Sequence, residues 1–231
     1  MAKKSKKRTS KTAAPSRSYA FPALVGVLIV AFAAGIALTR AGSVGEKKTS
    51  AHTAADVKES VNPRSLPGIQ TGEAPWAPEY DHLAQRLNDL GLPPPGAEQL
   101  AYHIHQHIDI FVHGKRISVP AGIGFDPANN GLAIIHTHDD DGTIHVESPF
   151  EHEFTLGHFF DVWGVLFTKD CLGGYCNKGA DQLRVYINGK PLEDDPTRAK
   201  LTEHLEILVT YGTQAEEPNP IPSSYDFAPG E

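Results

Sequence analysis

The sequence predicts an α+β protein: an N-terminal transmembrane helix, a flexible stalk, then one extracytoplasmic domain of antiparallel β-hairpins with two or three packed helices. Three observations predict it. Residues 20–38 are an uncharged apolar run, residues 41–75 contain no aromatic side chain, and the remainder alternates apolar and polar residues between glycine-bearing turns, with two stripes at helical spacing.

Residues 1–19 form a basic tail with no acid, containing Lys3, Lys4, Lys6, Lys7, Arg8, Lys11 and Arg17. The apolar run that follows would be about 28 Å long as a helix, enough to cross the hydrocarbon core and meet membrane lipid through residues 20–38. The positive-inside bias then leaves the tail in the cytoplasm and sends everything after the 20–39 helix outside the cell membrane. A cleaved signal peptide would export the same domain, but the run exceeds the roughly 7 to 15 residues of a signal core.

Residues 40–75 are rich in Ser, Thr, Ala, Lys, Glu and Pro. They bury too little apolar surface to offset ordering entropy, which predicts a disordered linker. Residues 76–215 hold both tryptophans and most of the aromatics, the size of one ordinary domain. Residues 216–231 are a Pro-rich tail. Beyond residue 40 the chain has 13 basic against 28 acidic side chains, which disfavours binding to nucleic acid.

Within the domain, Tyr80, Leu83, Leu87 and Leu90 fall at helical spacing ahead of Gly91. Leu156, Phe159, Phe160 and Trp163 do so again, with Thr155 as N-cap and Gly164 as stop. Ile104, Ile108, Ile110 and Val112 alternate as a strand up to a His113-Gly114 turn, beyond which a second strand continues to Pro120. Further hairpins are expected at residues 139–142 and at Asn188-Gly189, and the final strand runs from Leu205 to Tyr211. Residues 110–117 and 185–192 echo each other in pattern, as expected where x-Gly-Lys turns suit strand twist.

Nine of the 12 histidines lie between positions 103 and 158, grouped as His103-x-His105-x-His107, His136-x-His138 and His145-x-Glu147. On a strand, alternate side chains share a face, so each group presents its donors together. A two-residue Asp141-Gly142 turn would set His138 opposite His145 and His136 opposite Glu147. A four-residue turn over 139–142 would instead set His136 opposite His145, with the donors still on one face. His136, His138, His145 and Glu147 are therefore the expected metal ligands. His103, His105 and His107 adjoin them, completing the sphere or carrying a second ion, and Asp109 is a spare carboxylate. Imidazole and carboxylate donors suit Zn²⁺ or Cu²⁺, and the single methionine is the initiator, which excludes a thioether-rich Cu(I) site.

Cys171 and Cys176, the only cysteines, would close a small disulfide loop in an oxidising compartment. The order His136-x-His138 … Glu147 resembles the metal motif of cupins. Two histidines on one strand with a third on its neighbour resemble the zinc site of α-type carbonic anhydrases. Each likeness covers only these residues, and the remaining ligand spacing departs from both families, so no activity follows from either. The residues themselves suggest metal capture, buffering or delivery. An enzyme with a His-ligated activated water, or an interaction module with a structural metal, are the alternatives.

Overall fold

The computed structural model describes residues 52–59 and 61–230. The basic tail, the 20–39 helix and the start of the linker lie outside the described residues. Among the described residues no helix is long and apolar enough to cross a membrane.

The helical stripes form, except that Tyr80 precedes the first helix and is exposed. The first helix, α1, is Leu83–Leu90, and the second, α2, is Leu156–Trp163; each ends at a left-handed glycine, Gly91 and Gly164. The Thr155 hydroxyl caps α2 by accepting from the His158 amide.

The strands in chain order are β1 Tyr102–Val112, β2 Lys115–Ile117, β3 Phe125–Asp126, β4 Gly131–Leu132, β5 Ile135–His136, β6 Thr143–Ser148, β7 Cys171–Leu172, β8 Tyr175–Cys176, β9 Gln182–Ile187, β10 Lys190–Pro191 and β11 Leu205–Gly212. Seven of them make one sheet, ordered β10-β9-β11-β1-β6-β5 with β2 also on β1, while β3-β4 and β7-β8 are separate two-stranded ribbons. Both short echoes are tight hairpins, with His113-Gly114 and Asn188-Gly189 all at positive φ.

The sheet is not purely antiparallel. Its two longest strands, β1 and β11, run parallel, with His107 beside Glu206 and Ile108 beside Ile207. Turn residues encode local antiparallel pairs, but a pairing across some hundred residues leaves no local signature. The second strand also stops at Ile117, short of Pro120.

The segment from residue 52 to 75 is not a free linker. It carries 3₁₀ turns at Ala54–Asp56 and Pro63–Ser65, and it buries Val57 and Leu66 in the domain core. Its backbone is tied down as well: Lys58 N donates to Leu90 O, and Gln70 N donates to Gly164 O. A stretch too apolar-poor to make its own core can still add single anchors to an existing one. Gly91 permits the crossing, since a Cβ there would lie 1.7 Å from the Asp56 carbonyl oxygen. The 216–231 tail is irregular yet also packed: Glu217 pairs with Arg184 and Tyr186, and Tyr225 stacks on His107.

The core collects Ile108, Ile110, Ile144, Val146, Ile207 and Val209 of the sheet with Phe159, Phe160 and Trp163 of α2 and Leu83 and Leu87 of α1. The opposite face of β1 and β6 is left to the histidines.

Candidate metal centre

The register of three adjacent strands assembles the site. His105 pairs with His145 across β1–β6, His145 with His136 across β6–β5, and His103 with Glu147. Strand alternation sends these side chains to one face while Ile104, Ile135, Ile144 and Val146 pack into the core. His136 opposite His145 is the register of the longer turn; the two-residue Asp141-Gly142 turn does not form. These turn residues bind β1 instead. Ile108 N donates to Gly142 O at 3.0 Å. Gly142 is at φ +100, where a Cβ would meet the Ile108 carbonyl oxygen at 2.5 Å.

His136, His138, His145 and Glu147 each offer a donor atom, all within 4.8 Å of one another. The Nε2 atoms of His136 and His138 are 3.1 Å apart, and Glu147 Oε1 lies 3.9 Å from His136 Nε2 and 3.9 Å from His145 Nδ1. Two ligands at roughly 2.0–2.1 Å from one tetrahedral ion stand roughly 3.4 Å apart, so this spacing needs little adjustment.

The protonation pattern suits a ligand set. His136 is fully buried, and its Nδ1 lies 2.8 Å from the Ala133 carbonyl. A carbonyl only accepts, so Nδ1 carries the hydrogen and Nε2 turns a lone pair to the cluster. Burial, then the charge of His138, pushes the His136 ring down to about 4. Burial, then His136 and His138, pushes His145 down to about 3. Both rings are therefore neutral at neutral pH. Burial, reinforced by Glu98, raises the Glu147 carboxyl above its usual range. His138 is the exposed member, with 39% of its side chain accessible.

His103 and His105 join this patch. His107 does not: its Nδ1 lies 2.7 Å from Glu206 Oε2, its Nε2 lies 3.0 Å from Asp141 O, and Tyr225 covers its face. Asp109 is engaged by Arg116 at 2.8 Å. His158 caps α2 and reaches the Lys58 carbonyl, apart from the metal patch.

Two acids escape the sequence reading. Glu98, whose Oε1 is 3.8 Å from His138 Nε2, stands in a loop with no pattern to mark it. Glu206, which lies 2.7 Å from His107 Nδ1, had one available signal, an acid inside a predicted apolar strand. Cys171 and Cys176 are disulfide-bonded, joining the β7–β8 ribbon, which shares no residue with the metal patch.

The chain matches no protein-family model, no curated protein and no solved structure, so the site itself carries the functional reading.

Proposed function

We propose that this is a membrane-anchored extracytoplasmic metal-binding protein that captures, buffers or delivers Zn²⁺ or Cu²⁺. The observation that carries the reading is the convergence of His136, His138, His145 and Glu147, three of them buried, with one ligand atom from each within 4.8 Å of the others. His136 Nε2 and His138 Nε2, 3.1 Å apart, can share one hydrogen, but His145 Nδ1 is buried with no hydrogen-bond partner among the described residues, and a divalent cation satisfies these nitrogens together. Exposed His138 gives the ion a path in and out. The apolar run at 20–38 supports the anchor, and the Cys171–Cys176 disulfide suits an oxidising compartment.

Metal analysis of the purified protein beside His136→Ala/His138→Ala tests this. Loss of bound Zn²⁺ or Cu²⁺ from the double variant is expected, and unchanged content rejects the assignment.

One observation favours a metalloenzyme as the second reading. A shallow surface pocket of about 550 Å³, bordered by Glu98, Phe125, Leu132, Thr137 and His138, abuts the accessible ligand. There an ion would keep an open position for water. Substituted Co²⁺ separates the readings: a visible spectrum that shifts on adding azide indicates an exchangeable position, and an unchanged one indicates closed capture.

A further inference from the structure

The six donors of the patch do not converge on a single point. His136, His138, His145 and Glu147 form one group, and His103, His105 and His145 form another whose donor atoms also lie within 4.8 Å of one another. Five imidazoles and a carboxylate exceed the four donors of a tetrahedral ion. Resting on the metal-binding reading above, we infer that the patch holds two ions, the second between His103, His105 and His145, with His145 and Glu147 standing between the two.

Three features carry this. The His103 and His105 rings meet edge-on at 4.4 Å between centroids, and His105 meets His145 at 4.7 Å, a continuous row across β1 and β6. Glu147 Oε1 lies 3.4 Å from His103 Nε2 and 3.9 Å from His136 Nε2, so a single oxygen faces a nitrogen from each group. The other oxygen, Oε2, and His145 Nδ1 are buried with no hydrogen-bond partner among the described residues. An ionised carboxylate accepts through two oxygens, so Glu147 can serve both ions, whereas a neutral imidazole offers one lone pair and His145 ligates one of them. A negative group between them also offsets the repulsion of two dications, as in sites with ions about 3.5–4 Å apart.

Zn²⁺ titration of the apo full-length protein by calorimetry, with metal analysis after dialysis, tests the inference. Wild type is expected to take two equivalents. His103→Ala/His105→Ala is expected to keep one, and His136→Ala/His138→Ala to lose the site of the first group. Because His105 is buried, the single variant His103→Gln, at a partly exposed position, provides a milder probe. It is expected to weaken the second equivalent at least tenfold, with an unchanged circular dichroism spectrum and an unaltered first equivalent. One equivalent in wild type, abolished by His136→Ala/His138→Ala, overturns the second ion and leaves the proposed function standing. Two equivalents retained by His103→Ala/His105→Ala also overturn it. No Zn²⁺ or Cu²⁺ bound by wild type defeats both readings.

Discussion

Across the parallel pair of β1 and β11, His107 Nδ1 lies 2.7 Å from the Glu206 carboxylate. Its Nε2 faces the Asp141 carbonyl at 3.0 Å. Both partners are acceptors, so the doubly protonated ring satisfies both. Burial works against that charge, but the hydrogen bond and charge of Glu206, with Asp109 and the Asp141 carbonyl, outweigh it and hold the pKa above its ordinary value. Tyr225 stacks on the ring at 3.8 Å between centroids, 2° from parallel. One imidazolium thus ties together β11, the 139–142 loop and the C-terminal segment.

Glu206→Ala leaves that ring buried without its counter-charge and is expected to cost about 3–5 kcal/mol in chemical denaturation. The sign follows from a raised folded pKa. The stabilisation is fully present below the unfolded value near 6.5, and it is lost as pH rises through the higher folded value. In Glu206→Ala this part of the pH dependence disappears, so wild-type and variant stabilities converge as pH rises. Parallel curves over that range would show that the ring is neutral in the fold.

The buried rings of the metal patch act in the opposite direction. In the apo protein His136 and His145 stay neutral in the fold down to about 4 and about 3, whereas the unfolded chain protonates them near 6.5. The unfolded state then binds more protons, so stability falls as pH drops below 6.5 and levels off once the folded rings titrate. At about 1.4 kcal/mol per pH unit, His136 alone amounts to about 3 kcal/mol. Melting of apo protein between pH 7 and pH 4 measures this loss, and His136→Gln is expected to flatten the profile. Histidine NMR showing both rings titrating near 6.5 would contradict it.

Both helices, the tight hairpins and the donor face of the central strands were legible in the sequence because each rests on local chemistry: caps at Thr155 and Gly164, turns at His113-Gly114 and Asn188-Gly189, and period-two alternation through His103, His105, His136 and His145. Partner choice was not legible. Nothing within residues 102–112 says that β11 joins parallel, and that pairing is what brings Glu206 to His107 and separates His107 from the other histidines. Residues 139–142 were compatible with a two-residue or a four-residue turn, and no local feature shows that Gly142 O accepts from Ile108 N of β1. Residues 52–75 looked too polar to pack, because composition does not register single anchors such as Val57 and Leu66 joining a core built elsewhere.

The Cys171–Cys176 bond closes a short loop, with the Arg64 guanidinium 3.5 Å from Cys171 Sγ. A loop this small restricts the unfolded chain by about 2 kcal/mol. Cys171→Ser/Cys176→Ser is therefore expected to lower the melting temperature by about 4–8 °C. Bound metal should be unchanged, because the β7–β8 ribbon shares no residue with the histidine patch. Loss of metal from a folded variant would refute this separation.

Arg86 is a fully buried cation on the apolar stripe of α1, one turn beyond Leu83. Its guanidinium donates to Asp161 O at 2.8 Å and Val162 O at 3.0 Å, carbonyls in the last turn of α2, where Asp161 O otherwise accepts, among the described residues, only the C-cap amide of Gly164 at 3.2 Å. It also donates to Pro67 O at 3.2 Å and pairs with the Glu79 carboxylate. The side chain thus fastens α1, the end of α2 and the 52–79 segment with one planar group. Lysine, a point charge on a flexible stem, cannot reproduce that fork. Arg86→Met is expected to cost about 3–5 kcal/mol, since it strands Glu79 and several carbonyls. Arg86→Lys should recover only part of the loss. Adding Glu79→Gln to Arg86→Met is expected to restore part of the stability lost in Arg86→Met alone, because it removes a carboxylate that keeps only His82 as a partner among the described residues. A denaturation series in which the two single losses simply add would show that the pair is not coupled.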